Sequence, residues 1–323
     1  MRIVIYGVGA VGGTLAVMLT KAGHEVIGIA RGRQLEAIQQ NGLLLRTPDG
    51  DHHARFACLA DPSEIAFRPD DVVLLTMKTQ DTPAALDRLR AAGVEQQAVF
   101  CFQNGVSNED FALRLFPNVY GVVVEMPTTF TIPGEIGDFF TPKLGIFDIG
   151  RYGVGNSETG TKLAAILDSA GFSAFYQADI KPWKYAKLLM NLGNAIDTAI
   201  GDAKARQPYV DAARKEAHAV FAAAGIVPAD MKREERLALA TLGDIQGVAR
   251  VGSSSAQSLA RGAGSIETDY LNGEIVLLGR KLGVPTPVNA YFASLTQAMM
   301  RQNRPVGSVP LDEIAKALPT IPA

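Results

Sequence analysis

Short apolar runs alternate with helix-like stretches in the first half of the chain. Residues 2–6 (Arg-Ile-Val-Ile-Tyr) predict a buried strand, and residues 7–13 form a glycine-rich turn. Residues 14–22 have the apolar spacing of a helix that ends at Gly23, and residues 25–30 predict a second strand. A strand, a turn, a helix and a second strand within about 30 residues have the size of one βαβ unit.

Further apolar runs continue this alternation. They predict more strands at residues 71–76, 98–102 and 119–124, with helices between them at residues 83–92 and 109–115. Because parallel strands need crossover connections, this order predicts a parallel sheet with helices on both faces. Residues 130–155, rich in Gly, Pro and Phe, predict extended strands at an antiparallel edge of that sheet.

The second half has a different pattern. From Lys181 onward the chain consists mostly of Ala- and Leu-rich stretches with helical spacing. The predicted fold is therefore α/β, with an N-terminal Rossmann domain, a doubly wound parallel sheet, over residues 1–178 and a C-terminal all-α domain over residues 179–323. The segment Ser308–Ala323 contains three prolines and predicts a loosely docked tail.

Composition excludes several classes of protein. The formal net charge of -2 gives no basic surface for nucleic acid, and no run of about 20 apolar residues predicts a membrane span. The apolar start is too short for a signal peptide, so a cytoplasmic location is expected. Cys58 and Cys101 are interpreted as small buried side chains, and the four histidines lack metal-ligand spacing, so no metal site is predicted.

The glycine-rich turn matches a known cofactor-binding pattern. G-x-G-x-x-G is formed here by Gly7, Val8, Gly9, Ala10, Val11 and Gly12. The pattern alone is weak, but here it follows a strand and opens a helix, which is its functional context. Gly7 permits the tight turn, Gly9 lets the backbone approach a pyrophosphate, and Gly12 allows close packing of helix and strand. These six residues are the predicted dinucleotide site.

The type of dinucleotide is predicted at the end of the second strand. NAD enzymes tend to have Asp or Glu there for the ribose 2′-hydroxyl, whereas this chain has Arg31-Gly32-Arg33. A guanidinium suits a 2′-phosphate because its planar fork bonds two oxygens at once. Arg31 therefore favours NADPH/NADP+ over NADH, although a solvated basic turn is an alternative interpretation.

Two polar residues follow predicted strands of the sheet. Lys78 comes after the third strand and Asn104 after the fourth, at the carboxyl ends where open α/β sheets bind ligands. Lys78 is within reach of a phosphate or ribose, and Asn104 of nicotinamide and substrate. A solvated lysine and an ordinary Asn-Gly turn are the alternatives.

A polar stripe marks the predicted helix over residues 183–194. Lys187, Asn191 and Asn194 stand at i, i+4 and i+7, with apolar residues between them. Buried polar groups need partners, which a bound substrate can supply, but a solvated helix face fits the spacing equally well. Downstream, Ser255 and Glu267 lie in neighbouring helical segments, where serines on a helix surface are again the alternative.

Taken in order, these residues resemble the ketopantoate reductase (2-dehydropantoate 2-reductase) family. The resemblance rests on the glycine turn, Lys78, Asn104-Gly105, the Lys187-Leu-Leu-Met-Asn191 helix and the segment Glu267-Thr-Asp-Tyr-Leu-Asn-Gly273. It covers nearly the whole chain, and the last two motifs are its most specific part.

The resemblance implies roles for individual residues. Lys187 is similar to the family's general acid, which protonates the carbonyl oxygen as hydride arrives at carbon, and Glu267 to the glutamate that holds cofactor and lysine. By the same resemblance Asn104 contacts nicotinamide and substrate, and Lys78 contacts the cofactor. The substrate-binding residues it implies are Asn104, Lys187, Asn191, Asn194 and Ser255.

Three departures from the family pattern touch the substrate side. Gly252 stands where family members often carry asparagine, the second asparagine of the helix is shifted to Asn194, and a Thr-rich stretch is replaced by residues 122–127 ending in Glu125-Met126-Pro127. The type of reaction is therefore more firmly predicted than the substrate.

The predicted function is NADPH-dependent reduction of a 2-keto acid, with 2-dehydropantoate, a precursor of pantoate in pantothenate biosynthesis, as lead candidate. The alternatives are a related reductase of another keto acid, a ketone or an imine, and a non-catalytic NADP(H)-sensing protein. The expected partner is a small-molecule keto acid, with no nucleic acid and no membrane. A homodimer is a further expectation, from the helical second domain.

Overall fold

The computed structural model describes residues 1–155, 157–250, 252–262, 264–319 and 321. By their contacts they fall into two compact units. We call the first the sheet unit; it comprises Met1–Gln103, Ser107–Lys184 and Asp230–Ala249. The second, the helical unit, comprises Asn104–Val106, Tyr185–Ala229 and Arg250–Ala323. The domain boundary at residue 178 stays a prediction.

An eight-stranded sheet organises the described part of the sheet unit, in the order β13-β12-β8-β7-β6-β1-β2-β5. Of residues 130–155, predicted as an antiparallel edge, only β12 joins this sheet, and β13 was not predicted. Neighbouring strands are parallel except β8 and β12, so β12 and β13 form an edge of opposite direction. This confirms the Rossmann-type α/β prediction. The strands are β1 (Ile3–Tyr6), β2 (Val26–Ile29), β5 (Ala57–Leu59), β6 (Val72–Leu75), β7 (Ala98–Cys101), β8 (Val119–Glu125), β12 (Ile146–Arg151) and β13 (Ser173–Tyr176).

Helices cover both faces of this sheet because the side chains of its strands alternate between two cores. Ile3 and Ile5 belong to one apolar cluster, whereas Val4 between them belongs to another on the opposite face. The helices are α1 (Ala10–Lys21), α2 (Gly32–Asn41), α3 (Thr82–Ala91), α4 (Asn108–Leu113) and α5 (Glu158–Ser169).

Two smaller sheets complete the unit. The first has the order β4-β3-β10-β9, and the second pairs β11 with β14. Their strands are β3 (Leu43–Thr47), β4 (Gly50–Ala54), β9 (Thr128–Ile132), β10 (Glu135–Asp138), β11 (Phe140–Pro142) and β14 (Ala240–Leu242). Since β14 follows helix α9 (Arg233–Leu239), a segment from the second half of the chain packs within the sheet unit, which the sequence analysis did not foresee.

The helix predicted over residues 183–194 is two helices. Helix α6 (Lys181–Asn191) ends one residue before α7 (Gly193–Ala199). Leu192 between them keeps right-handed helical angles (φ -59°, ψ -27°), so no loop separates them. As a result Lys187 and Asn191 lie on one helix and Asn194 on the next.

The rest of the helical unit is α-helical, with a short 3₁₀ helix over Glu267–Tyr270. Its helices are α8 (Ala203–Ala224), α10 (Ser254–Ala260), α11 (Asn272–Leu282), α12 (Pro287–Arg301) and α13 (Leu311–Ala317). The predicted loose tail is wrong for its described part, because Val309, Ile314 and Leu318 are buried in the core of this unit. Among the described residues, no helix combines the length and apolar composition needed to cross a bilayer.

Candidate functional site

Packing requires two of the three glycines of the G-x-G-x-x-G motif, which spans the turn after β1 and the first residues of α1. Gly7 has φ +106°, and a Cβ there would lie 2.8 Å from the Met77 backbone nitrogen. A Cβ on Gly12 would lie 2.5 Å from both the Gly7 carbonyl oxygen and Thr76 Oγ1. Both distances are shorter than real Cβ contacts, so only glycine fits at these positions.

Gly9 is different because the protein gives it room. The nearest atom to an added Cβ is the Gly7 carbonyl oxygen, 3.9 Å away. Helix α1 begins directly after it, has no side-chain cap and carries no acidic residue in its first turn. The backbone N–H groups of Ala10 and Val11 belong to that turn and have no intrahelical acceptor. This end of the helix fits a pyrophosphate, which would approach the chain at Gly9.

As predicted from the sequence, Arg31 lies just after the end of β2. Its side chain is 72% exposed, and its Nη2 lies 3.8 Å from Asp81 Oδ1. Water strongly screens an exposed ion pair at this distance, so Asp81 holds the Arg31 guanidinium only weakly. The arrangement fits the binding of a ribose 2′-phosphate.

A buried network links the loops that carry Lys78 and Asn104. The side chain of Gln103 donates to the Met77 carbonyl (2.9 Å) and to Thr82 Oγ1 (2.7 Å). Thr82 donates to Asn108 Oδ1 (2.8 Å), and Asn108 Nδ2 donates to Thr79 Oγ1 (3.1 Å). These buried bonds fix the ends of β6 and β7, where Lys78 and Asn104 follow the strands.

Lys184 is a second lysine of α6, one helical turn before Lys187. Its Nζ lies 2.8 Å from Glu109 Oε1 and donates to the carbonyls of Gln103 (2.7 Å) and Val122 (3.1 Å). Burial raises the pKa of Glu109, an effect that the ammonium opposes. Lys184 is thus committed to a buried carboxylate and two carbonyls, whereas Lys187 is half-buried. No pattern in the sequence indicated this pair, because Glu109 and Lys184 lie far apart in the chain.

Four side chains of the helical unit bury a polar atom that has no hydrogen-bond partner among the described residues, and two of these side chains belong to the predicted substrate site. The atoms of these two are Asn191 Nδ2, on a side chain 6% exposed, and Ser255 Oγ, on one 1% exposed. Such atoms are costly to bury, and a bound ligand is one explanation for their retention. Asn191 lies one turn after Lys187 on α6, so the two share a helix face.

Glu267 lies in a segment that is held at both ends. The adjacent Thr268 accepts a hydrogen bond from Thr296 (3.1 Å), and Asn272 Nδ2 donates to the Leu192 carbonyl (3.1 Å). A Cβ on Gly105 would lie 3.0 Å from the Tyr270 carbonyl oxygen. Within the helical unit the structure therefore brings together the segment of Glu267, the segment of Asn104 and the junction after Asn191.

The segment before Ser255 is tied to α7. Ser253 donates from its hydroxyl to the Asn194 carbonyl (3.2 Å) and from its backbone to Asp197 Oδ2 (2.8 Å). A Cβ on Gly252 would lie 3.0 Å from that same carboxylate oxygen. Asp197, which also pairs with Arg206, would therefore have to shift slightly to admit a side chain at position 252.

Comparison with known sequences identifies the family of this chain. Residues 3–150 match the family described as ketopantoate reductase PanE/ApbA, and residues 179–300 match its C-terminal region. The chain belongs to the ketopantoate reductase family. The family is one of oxidoreductases of the 2-dehydropantoate reductase type.

Individual relatives span nearly the same length. A 2-dehydropantoate 2-reductase of Mesorhizobium japonicum is 30% identical over 314 residues, which are 89% of this chain and 94% of that protein. The structure of a PanE/ApbA family ketopantoate reductase from Ralstonia eutropha JMP134 is 30% identical, with a TM-score of 0.78 over 94% of this chain and 100% of that one. D-mandelate dehydrogenase, solved with NADH and anilino(oxo)acetate, shares the fold at 24% identity, with a TM-score of 0.80 and coverage of 94% and 99%.

One departure from the family pattern has a structural explanation in the sheet unit. Glu125 forms an ion pair with Nη1 of Arg236 (2.7 Å). Nη2 of the same arginine forms an ion pair with Asp148 (2.5 Å). The same guanidinium lies over the Trp183 ring, 5.3 Å from its centroid. Within the sheet unit, Glu125 and Asp148 thus fasten α9, the helix that carries Arg236, to strands β8 and β12.

Proposed function

We propose that this protein uses NADPH to reduce the ketone of a 2-oxo acid, with 2-dehydropantoate as the leading substrate. The observation that carries the proposal is the shared helix face of Lys187 and Asn191, where a half-buried amine stands one turn from a buried amide nitrogen that has no partner among the described residues. A proton donor beside a vacant hydrogen-bond donor suits a substrate with several oxygens.

The sheet unit supplies the features expected of the cofactor site. Gly9 leaves open space before an uncapped helix, and Arg31 presents a weakly committed guanidinium to a 2′-phosphate. When bound, the nicotinamide supplies the hydride. Lys78 and Asn104, which follow β6 and β7, would contact the cofactor, and Asn104 the substrate as well.

The residues of the helical unit would complete the reduction. Lys187 gives its proton to the ketone oxygen as negative charge develops there, so the product is a 2-hydroxy acid and the lysine is left neutral until solvent reprotonates it. Glu267 keeps the ammonium in place. Asn191, Asn194 and Ser255 bind the remaining oxygens of the substrate, and Ser255 contributes a hydroxyl with no protein partner among the described residues.

A bulkier 2-oxo acid is the second candidate substrate. It is motivated by the departures from the family pattern on the substrate side, where Gly252 stands in place of an asparagine and residues 122–127 in place of a Thr-rich stretch. The fold is shared with D-mandelate dehydrogenase, so phenylglyoxylate, the 2-oxo acid related to mandelate, is the first compound of this class to test.

A panel of 2-oxo acids tests both candidates, with oxidation of NADPH and of NADH followed by absorbance. We expect turnover of 2-dehydropantoate with NADPH, and a loss of NADPH preference in Arg31→Ala with the NADH rate unchanged. Turnover of phenylglyoxylate alone would replace the leading substrate. If wild-type protein binds NADPH but oxidises it with no 2-oxo acid, ketone or imine, the protein is a sensor rather than a reductase.

A further inference from the structure

We propose that the buried pair of Lys184 and Glu109 is a positioning device that fixes the peptide before Asn104, and through it the amide that would meet the nicotinamide. The contact between Asn104 and nicotinamide rests on the proposed function. The pair itself touches neither substrate nor cofactor in this proposal; it acts through Gln103.

The pair is enclosed to a degree that is unusual for two charges. The side chain of Lys184 is 4% exposed and that of Glu109 is fully buried. Taking both groups out of water is costly, and an apolar pair of similar volume is often as stable or more stable. Stability alone is therefore a weak reason for this arrangement, and the geometry of the ammonium is the better explanation.

The remaining bonds of the ammonium go to two specific carbonyls. One belongs to Gln103, whose peptide continues directly into Asn104, and the other to Val122 on β8. Because β7 and β8 are neighbours in the sheet, the ammonium bridges the end of one strand to the other. An apolar side chain at position 184 would leave both carbonyls without this donor.

The amide of Gln103 is held independently of its backbone. Its Nε2 reaches the Met77 carbonyl and Thr82 Oγ1, so the residue is fastened at both its side chain and its carbonyl. Removing Lys184 releases only the carbonyl. The expected result is a local change in the peptide before Asn104, with the loop that carries Lys78 still in place.

A double variant, Lys184→Met with Glu109→Leu, separates positioning from stability. Lys184→Met alone leaves a buried unpaired carboxylate and should lower the melting temperature, which the second substitution should largely restore. A matched control is Arg2→Met with Asp71→Leu, which removes another buried ion pair (Arg2 Nη2 to Asp71 Oδ2, 2.6 Å). Arg2 and Asp71 lie directly before β1 and β6, at the amino ends of the strands, whereas Gln103 and Asn104 follow the carboxyl end of β7.

Two measurements report on the segment. Hydrogen exchange over residues 102–107 should be faster in the Lys184/Glu109 double variant and unchanged in the control. The dissociation constant for NADPH should rise roughly tenfold, the size expected for a lost buried contact, while that for adenosine 2′,5′-bisphosphate, which lacks nicotinamide, stays the same.

Wild-type exchange over residues 102–107 in the double variant would overturn the proposal, as would an equal loss of affinity for NADPH and for the bisphosphate. An equal effect in the control would also overturn it. The exchange measurement needs no turnover, so a wild-type protein that reduced no 2-oxo acid would refute the proposed function and leave this test decisive.

Discussion

The two candidate binding regions are built in different ways. Around the glycine turn, the cofactor side uses backbone groups: an open position at Gly9 and a helix end without a cap. The helical unit uses side chains, with Asn191 and Ser255 drawn from segments that are distant in the chain. A site made of backbone is specified by a short stretch of sequence, whereas a site made of side chains depends on how the whole unit folds.

Removing the proposed general acid, Lys187, should have the largest effect of the substitutions that test this comparison between the two regions. Lys187→Ala should lower kcat by about 10²–10⁴-fold, the usual contribution of a positioned proton donor. NADPH affinity, measured by fluorescence titration, should change little because the glycine turn is intact.

Lys215→Ala, an exposed lysine of α8, is the control and should leave kcat at the wild-type value. If Lys187→Ala and the control are equally active, α6 does not carry the proton donor.

The backbone site is tested by a pair of glycine variants. Gly12→Ala must displace the Gly7 carbonyl or Thr76, so we expect a loss of about 1–3 kcal/mol in unfolding free energy. Gly9→Ala meets no close atom, so its stability should stay within about 0.5 kcal/mol of wild type while NADPH affinity falls about tenfold or more.

Urea denaturation and NADPH titration measure the two effects. A Gly9→Ala protein that binds NADPH normally would show that the pyrophosphate does not approach the chain there.

Two asparagines of the helical unit allow a comparison between an amide nitrogen without a hydrogen-bond partner among the described residues and one that has partners. Asn191→Leu removes an amide nitrogen that has no partner among the described residues, so stability should be equal or higher while KM for the 2-oxo acid rises about tenfold. Asn272→Leu breaks bonds to the Leu192 carbonyl (3.1 Å) and to Asn289 (3.0 Å), at a cost of about 1–3 kcal/mol.

Thermal or urea unfolding of both variants supplies the comparison, and steady-state kinetics supplies KM. Destabilisation of Asn191→Leu by as much as Asn272→Leu would mean that Asn191 serves packing and not a ligand.

A variant of Asp138 tests whether every buried polar atom without a hydrogen-bond partner marks a ligand site. Its Oδ1 accepts from the Phe140 backbone (3.1 Å), its Oδ2 has no partner in the described part of the chain, and burial raises its pKa well above the usual range. As pH rises past the ordinary pKa of aspartate, the unfolded chain releases this proton and the folded protein keeps it, so unfolding free energy falls.

Asp138→Asn should therefore be more stable than wild type at about pH 8, with the difference closing toward about pH 4, and should keep wild-type kinetics. Urea denaturation across this range provides the measurement. A variant that is less stable at pH 8, or one with altered KM, would contradict this view of Asp138.

Most of the sheet unit could be predicted from the sequence because its signals are local. Apolar runs such as Val72–Leu75 are strands, and the glycine pattern stands between a strand and a helix as expected. The division of the helix at Leu192 was missed because helical angles persist there and apolar spacing continues across it. The tail was missed because its prolines outweighed the spacing of Ile314 and Leu318.

Less of the candidate site was accessible, since its supporting contacts join distant residues. The motif Glu267–Gly273 indicated a functional segment, yet nothing in it revealed that Asn272 reaches the Leu192 carbonyl. Similarly, Lys184 and Glu109 are unremarkable charged residues in their own neighbourhoods. Tertiary packing alone makes them partners, so a pattern along the chain cannot predict the pair.

The close approach of Asp197 to Gly252 has a consequence for the history and redesign of the chain. The two positions constrain each other: a Cβ at 252 would lie 3.0 Å from the Asp197 carboxylate and crowd it, and loss of the carboxylate would leave Arg206 and the Ser253 backbone N–H without this acceptor. The two sites therefore form an epistatic couple, in which a smaller residue at 197 makes room for a side chain at 252 but removes the ion-pair partner of Arg206.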